Sequence, residues 1–196
     1  MTLNNFVTVS VLCALLSACA TTSAPRSSTP AAPYSDAVEL SGRLSVNYER
    51  DGKGESLTGK FNWRQSGART DVSLDSPLGQ TIASISVIPG QATLTQAGKA
   101  PRSAADIDTL SAQALGWSLP VSGLRDWLQG YAQDADGKRF VASPLNDSVT
   151  TRDGWRLHYV SWQDGDGAYS RPRRIDAERS ATVAAGQVAI RIVLDQ

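Results

Sequence analysis

The chain has 196 residues, with 19 basic and 19 acidic side chains and no formal net charge at pH 7. Balanced charge supplies no basic stripe, so we expect no nucleic-acid partner. With two cysteines and one histidine, the composition also excludes a zinc site of the usual kind and a disulfide-rich scaffold.

The N-terminal segment is predicted to be a targeting signal. The run FVTVSVLCALLSA, residues 6–18, is mostly apolar and too short to cross a bilayer as a helix. It ends in Leu16-Ser17-Ala18-Cys19, and small residues before a cysteine at this place resemble the bacterial lipobox. This resemblance implies a lipoprotein signal peptide over residues 1–18 and lipid attachment at Cys19. Ala20 follows in place of a retention aspartate, so we expect a protein anchored by lipid to the outer membrane, on its periplasmic side.

The next segment, residues 19–35, is predicted to be the lipidated N-terminus and a flexible tether. It is rich in Ser, Thr, Pro and Ala, has one charge, and lacks the apolar periodicity that a core requires. The remaining residues, 36–196, have the length of a single domain.

Alternating apolar and polar residues dominate residues 36–196, which is typical of strands with one face exposed to water. Turn signals such as Asp51-Gly52 and Pro89-Gly90 separate the runs. Short strands joined by tight turns favour an antiparallel meander that curls into a barrel or part of one. The apolar positions are Val38, Leu40, Gly42, Leu44 and Val46; Leu57, Gly59, Phe61 and Trp63; Val72 and Leu74; Ala83, Ile85 and Val87; Ala92 and Leu94; Trp155, Leu157 and Tyr159; and Val188, Ile190, Ile192 and Leu194.

The stretch LDSPLGQT, residues 74–81, predicts a turn with a leucine near its tip. Ser76, Pro77 and Gly79 are favoured at positions i, i+1 and i+3 of a type I turn, which leaves Leu78 at i+2. A single exposed leucine needs no functional explanation. The residues of the turn therefore leave the role of Leu78 open.

Two short helices are predicted between the strands. Ser103 is a plausible N-cap for the first, with Ile107 and Leu110 at helical spacing after it. Ser122 is a plausible cap for the second, whose apolar face holds Leu124, Trp127 and Leu128 before Gly130. Because helices this short are marginal alone, we expect them to pack on the sheet.

Sequence motifs for catalysis are weak. GESLTGKF, residues 54–61, contains G-x-x-x-x-G-K, but Phe61 replaces the magnesium-binding Ser or Thr and a strand follows. His158 lies in a predicted strand without a nucleophile motif, which favours a structural role. The pairs Asp106/Asp108 and Asp164/Asp166 lie in predicted caps or loops, where solvated Asp is usual. We therefore expect neither an enzyme nor a bound cofactor.

Five tryptophans are many for a domain of this size. Each is explained by core packing, but large aromatic residues also line cavities for apolar ligands where a curved sheet and its helices leave space. Both explanations remain open for the residues taken alone. The five are Trp63, Trp117, Trp127, Trp155 and Trp162.

Five stretches in order along the chain resemble the LolB family of outer-membrane receptors, which take lipoproteins from the periplasmic carrier LolA. The combination of SPLG, a later LP, L-R-x-W and a glycine is fairly specific. The stretches are LSGRLSV at 40–46, FNWRQ at 61–65, SPLGQT at 76–81, SLPVSGLRDWLQG at 118–130 and RPRRIDAE at 171–178.

The resemblance implies a mainly β fold, an unclosed antiparallel β-barrel of about eleven strands covered by short helices around an apolar cavity for acyl chains. In that family a leucine on a protruding loop helps to place cargo in the membrane, and Pro77, Leu78 and Gly79 match this loop. Whether a helix precedes Leu40 is open, because YSDAVELSG also alternates like a strand. The candidate cavity residues are Leu44, Val46, Phe61, Trp63, Leu74, Leu124, Trp127 and Leu128.

The function implied is that of a receptor which accepts lipoproteins from a LolA-like carrier and inserts their acyl chains into the outer membrane. Transfer would run down differences in affinity, since no nucleotide site supplies energy. The partners would be the carrier, the cargo acyl chains and the membrane, with the receptor a monomer. The alternative is a structural lipoprotein scaffold that recruits a periplasmic partner to the outer membrane without an acyl cavity.

Overall fold

The structure is a computed structural model that describes residues 29–50, 52–115, 119–163, 169–182 and 186–195. The predicted signal peptide, Cys19, Trp117, the pair Asp164/Asp166 and residues 19–28 of the predicted tether lie outside these ranges. Among the described residues, no helix is long and apolar enough to cross a bilayer.

Twelve strands and two helices are described, so the protein is mainly β. The first half of the chain contributes β1 (Ala37–Arg50), β2 (Lys53–Ser66), β3 (Arg69–Asp75), β4 (Thr81–Ile88), β5 (Gln91–Gln96) and β6 (Arg102–Ala104). The helices α1 (Ile107–Leu115) and α2 (Val121–Trp127) follow. The second half contributes β7 (Tyr131–Gln133), β8 (Arg139–Val141), β9 (Ser148–Thr150), β10 (Arg156–Gln163), β11 (Arg171–Arg179) and β12 (Val188–Leu194).

Ten of the strands form one antiparallel sheet in the order β6-β5-β4-β3-β2-β1-β12-β11-β10-β9, and β7 and β8 form a small second sheet. The longest pairing joins β1 to β2, from Ala37 opposite Ser66 to Arg50 opposite Lys53. The two outermost strands, β6 and β9, do not pair with each other, so the barrel is unclosed as predicted. The main sheet has ten strands where about eleven were expected.

Strand β1 begins at Ala37, and residues 29–36 contain no helix. The alternation of YSDAVELSG therefore belongs to a strand from Ala37 onward. The predicted hairpin turns are formed by glycines with positive φ, for example Gly90 at 74°, which is accessible to glycine at low cost.

Both predicted helices exist, but both predicted N-caps are wrong. Ser103 lies in β6, and Asp106 caps α1 instead, since its carboxylate accepts the backbone N–H of Thr109 at 2.7 Å. Ser122 lies inside α2, which begins after Pro120 without a side-chain cap. Ser122 instead donates through its backbone N–H, at 3.3 Å, and through its hydroxyl to the Asp108 carboxylate of α1. This contact joins the two helices, and the burial of Asp108 raises the pKa of its carboxyl group.

The inner face of the sheet divides into two regions. Over β10, β11 and β12 it is filled by a compact core in which α2 and the β7–β8 sheet contact buried residues such as Trp155, Tyr159 and Ile175. Tyr159 is 1% exposed and stacks against Phe140, with ring centroids 6.3 Å apart. Over β1 to β5 the helices leave space between themselves and the sheet.

Candidate functional site

An apolar cavity of about 300 Å³ lies between the inner face of β1–β5 and the two helices. Its size is at the lower end of the range for ligand pockets. Aliphatic and aromatic side chains make up nearly all of its wall. The residues that line it are Leu44, Tyr48, Arg50, Leu57, Phe61, Trp63, Val72, Leu74, Ile82, Ala83, Ile85, Leu94, Gln96, Lys99, Ala114, Leu119, Val121, Leu124, Leu128 and Ile192.

The cavity opens at the end of the sheet that carries the β3–β4 turn. Wall residues deep in the sheet are buried, for example Leu94 at 1% and Trp63 at 2% exposure. Wall residues beside the β3–β4 turn, such as Leu74 and Ile82, are half-buried, and Lys99 in the β5–β6 turn is exposed. This gradient of exposure defines the mouth.

Six of the eight predicted cavity residues lie on this wall, namely Leu44, Phe61, Trp63, Leu74, Leu124 and Leu128. The other two, Val46 and Trp127, are buried but are not among the lining residues. Val46 lies in the core between β2 and β12, opposite Leu57 and Ile190.

Trp127 holds α2 against the compact core. It is 4% exposed, and its ring meets that of Trp155 edge to face with centroids 5.8 Å apart. Gly123, one turn earlier in α2, leaves the space that the ring occupies, because a Cβ there would lie 2.5 Å from it. Trp127 therefore positions α2, from which Leu124 contributes to the cavity wall, together with Leu128 directly after the helix.

Leu78 is 90% exposed at the tip of the β3–β4 turn. The Gly79 N–H donates to the Ser76 carbonyl at 2.9 Å, which closes a turn of the predicted kind. Gly79 has φ 82°, and the Gln80 N–H donates to the Ser76 hydroxyl at 3.1 Å. These bonds stiffen the turn, while the stems that carry it, Leu74 and Ile82, are part of the cavity wall.

The rim of the mouth carries polar groups that sequence reasoning missed. The Arg50 guanidinium lies 5.5 Å from the Tyr48 ring centroid and 3.5 Å from the Glu55 carboxylate. The Tyr48 hydroxyl donates to Glu55 at 2.5 Å, and this bond raises the pKa of Tyr48. Lys99 lies on the other side of the rim. The alternation of β1 placed Tyr48 on the inner face, but nothing in it marked where the apolar wall ends.

The interior of the cavity contains no ionisable side chain among its described lining residues, since Tyr48, Arg50 and Lys99 all lie at the rim. The lone histidine, His158, is on the outer face, with its Nε2 atom 3.7 Å from the Asp147 carboxylate. Within the described ranges no cluster of His, Cys, Asp and Glu could hold a metal ion. The stretch GESLTGKF lies in β2 and forms no phosphate loop.

A larger groove, of about 610 Å³, lies on the outer face of β1–β5. Its rim is formed largely by hydroxyl, amide and charged side chains, among them Asn62, Arg64 and Asp71. A polar, open groove offers little to an apolar ligand despite its volume. The smaller inner cavity is therefore the candidate site.

Comparison with known proteins identifies the family of the chain. The family model described as outer membrane lipoprotein LolB matches residues 36–196. The outer-membrane lipoprotein LolB of Cupriavidus taiwanensis is 39% identical over 186 residues, 92% of this chain and 90% of that protein. The same-named protein of Ralstonia nicotianae is 41% identical over 194 residues, 95% of this chain and 93% of that protein.

Among solved structures, a LolA superfamily protein from Nitrosomonas europaea matches with a TM-score of 0.43 and 7% identity, over 81% of this chain and 84% of that one. The assignment of family rests on the sequence matches, which span nearly the whole chain at more than a third identity. The chain belongs to the LolB family of outer-membrane lipoproteins.

Proposed function

We propose that this protein is a lipoprotein receptor of the outer membrane, which receives cargo from a LolA-like periplasmic carrier and delivers it to the bilayer. The observation that carries the proposal is an apolar cavity whose mouth lies beside the fully exposed Leu78. The described wall offers acyl chains an apolar surface and offers no catalytic group.

Acyl chains are the ligand class that fits the wall. Each methylene that leaves water contributes roughly 0.8 kcal/mol, so a chain lying along Phe61, Leu74 and Ile85 would be held mainly by burial. No directional hydrogen bond deep in the cavity is needed, and one chain can replace another. Movement from carrier to cavity to bilayer then needs only a favourable difference in affinity at each step.

Leu78 provides the contact with the membrane in this proposal. Burying a leucine side chain contributes roughly 1.5 to 3 kcal/mol, and insertion of Leu78 into the interface would direct the adjacent mouth toward the lipid. The stems of the turn, Leu74 and Ile82, would then form a continuous apolar path from the cavity to the bilayer.

Stable attachment to the membrane is assigned to lipid on Cys19. Two or more acyl chains anchor a protein firmly, whereas one does so only reversibly. The domain would work as a monomer tethered to the periplasmic side of the outer membrane, with the carrier approaching its mouth.

A fluorescent fatty-acyl probe tests the proposed cavity function. We expect the probe to bind and to be displaced by a lipoprotein, and Ala114→Phe to reduce binding severalfold because Ala114 is on the wall. Gln113→Phe, at an exposed position of the same helix, is the matched control and should bind normally. Absence of probe binding in the wild type would favour the scaffold alternative.

A further inference from the structure

Strand β2 is twice as long as β3, the strand that pairs with it on one side, with 14 residues against 7. Strand β3 pairs with β2 only from Ser66 to Lys60, and the chain then turns back to pair with β4. Residues 53–59 of β2 pair with β1 and with no other described strand. We call the side of residues 53–59 that faces away from β1 the open edge.

The hydrogen bonds of β1 show which backbone groups point to the open edge. On the side of β1 away from β2, the Asp195 N–H donates to the Ser41 carbonyl at 2.9 Å, and the Glu49 N–H donates to the Gln187 carbonyl at 3.1 Å. Successive residues of an antiparallel strand direct their N–H and C=O groups to opposite sides. The odd-numbered residues of β1 therefore point away from β2, and the even-numbered residues bond to β2.

The β2 residues opposite these even-numbered positions are likewise bonded to β1. The residues between them direct their N–H and C=O groups to the open edge, which thus carries three donors and three acceptors. Among the described residues, no backbone group of a turn or loop bonds to them. These residues are Gly54, Ser56 and Thr58.

The open edge lacks the protection that the outermost strands of the sheet have. Strands β6 and β9 have only 3 residues each, and short edge strands are one means by which proteins avoid pairing with other chains. The open edge has more than twice that length and contains no proline. Its one acidic side chain, Glu55, is bound by Tyr48 and Arg50. An edge of this kind accepts a strand from another chain.

The open edge runs along the mouth of the cavity. Leu57, in the middle of the edge, lines the cavity. The edge begins at Gly59, where a Cβ would lie 2.5 Å from the Asp75 carbonyl oxygen at the end of β3. Asp75 also leads into the turn that carries Leu78, whose own backbone bonds stay within the turn. A strand in the line of β3 would therefore start beside the mouth and could continue for about 23 Å toward the β1–β2 turn.

Acyl chains in the cavity would bring one kind of partner to this edge. A lipoprotein carries its acyl chains on its first residue, so the peptide that follows must leave the cavity through the mouth. Pairing along a strand edge uses backbone groups and does not depend on the side chains of the partner. The open edge therefore suits a receptor whose cargo proteins differ in sequence after the acylated residue.

We propose that the open edge binds the extended peptide that directly follows the acylated residue of a cargo lipoprotein. The peptide pairs with β2 as an antiparallel strand, in the place where β3 would have continued, while its acyl chains lie in the cavity. Cargo is thus held by two adjoining surfaces, one apolar and one made of backbone groups. This inference rests on the proposed function, since it takes acyl chains as the ligand of the cavity.

Three synthetic probes test the proposal by their affinity for the protein lacking its lipid. The first is the methyl ester of a cysteine that carries two palmitoyl chains, and the second has the same acylated cysteine followed by six Ser and Ala residues. We expect this lipopeptide to bind about fivefold or more tightly than the ester, because the backbone groups of the open edge gain partners. The third probe, the lipopeptide with N-methylated backbone amides, should bind like the ester.

Ser56→Pro removes an N–H group from the open edge and leaves the β1–β2 hydrogen bonds intact. It should abolish the advantage of the lipopeptide and leave the affinity for the ester unchanged, since Ser56 is exposed and is not part of the cavity wall. Ser56→Ala keeps the N–H group and is the matched control. It should bind both probes like the wild type.

Hydrogen exchange in the wild-type protein supplies a readout that needs no substitution. The lipopeptide should slow exchange of the Gly54, Ser56 and Thr58 amides by about tenfold or more. The Glu55 and Leu57 amides, which already bond to β1, should change little. The ester should protect none of the three amides of the open edge.

Equal affinity for the ester and the lipopeptide, or slowed exchange without this alternation, would overturn the inference and leave the acyl cavity in place. Protection of the three amides in the protein alone would mean that a second copy or another part of the chain occupies the open edge, which would also overturn it. If the protein bound neither the ester nor the lipopeptide, the proposed function would fail and this inference with it.

Discussion

Leu78 combines full exposure with a rigid support, and this combination distinguishes it from other apolar surface residues. Leu145 is 62% exposed in a second Ser-Pro-Leu turn, closed by the Asn146 N–H donating to the Ser143 carbonyl at 3.1 Å. That turn follows Ala142, whose carbonyl accepts the Ala31 N–H at 2.9 Å, so it lies beside the N-terminal residues of the domain and away from the mouth. The chain therefore contains its own control for the role of Leu78.

Leu78→Glu should block delivery of cargo to liposomes while leaving folding and acyl-probe binding unchanged. Loss of roughly 1.5 to 3 kcal/mol of insertion free energy corresponds to a decrease of about tenfold or more in membrane association. Flotation of the protein with liposomes and a cargo-delivery assay measure the two effects. Leu145→Glu should behave like the wild type, and normal delivery by Leu78→Glu would show that the turn has no membrane role.

Sequence reasoning identified Leu78 because turn chemistry is local: Ser76, Pro77 and Gly79 fix the geometry within a few residues. Sequence reasoning placed both N-caps at the wrong residues, because the position of an N-cap depends on where the preceding element ends. Ser103 lies in β6, so the next residue with a suitable side-chain acceptor, Asp106, caps α1. Ser122 is bound by Asp108 from another helix, a contact that no local pattern encodes.

At the scale of the elements, α1 depends on Asp106. Asp106→Ala should lower the free energy of unfolding at pH 7 by about 1 kcal/mol, since two backbone N–H groups, of Thr109 and Asp108, lose their acceptor. Hydrogen bonds from Thr109 hold the pKa of Asp106 below its ordinary value in the folded state. Its contribution is therefore present above the unfolded pKa of about 3.9 and is lost as the pH falls through the folded pKa.

Urea unfolding of the wild type and of Asp106→Ala, at pH 7 and in steps below pH 4, measures this dependence. The difference in stability should narrow at the acid end. Asp106→Asn, which keeps a capping acceptor that does not titrate, is the control and should show a smaller loss at pH 7. A difference that stays constant down to pH 2 would mean that the carboxylate is not the capping group.

Helix α2 depends in turn on Trp127. Trp127→Ala should lower the free energy of unfolding by about 3 to 5 kcal/mol, because it empties a buried site between α2 and Trp155. Urea denaturation measures this loss. Trp162→Ala, which removes a half-buried ring at the end of β10, should cost less, and an equal or smaller loss for Trp127→Ala would contradict its role as the anchor of α2.

Sequence alternation could not tell which of the predicted cavity residues line the cavity and which are buried elsewhere. Alternation identifies the inner face of a strand, and on this basis Leu44, Val46, Phe61 and Trp63 are equivalent. Which of them line the cavity depends on how the helices cover the sheet, a tertiary contact that alternation does not report. Leu44 and Ile192, which pair across β1 and β12, line the cavity, whereas Val46, two residues further along β1, is fully buried and does not.

At the scale of the whole molecule, the mouth and the bound N-terminal residues 30–35 occupy opposite ends of one curved sheet. The half-barrel followed from the alternating strands together with the family resemblance, and the ten-stranded order bears this out. The binding of residues 30–35 to the domain was not foreseen, because these residues have the composition of a linker and are held largely by backbone hydrogen bonds and by distant partners such as Gln65 and Gln129. The composition of a segment indicates how much apolar surface it can bury, but it does not indicate which hydrogen bonds its backbone forms with the rest of the domain.

Reconstitution of transfer tests the central claim most directly. A LolA-like carrier loaded with a fluorescent lipoprotein is mixed with liposomes and with this domain lacking its lipid, and the position of the cargo is followed by flotation. The account predicts that cargo leaves the carrier and floats with the liposomes only when the domain is present, without added nucleotide. Cargo that stays on the carrier, or that moves to liposomes equally well without the domain, would contradict it.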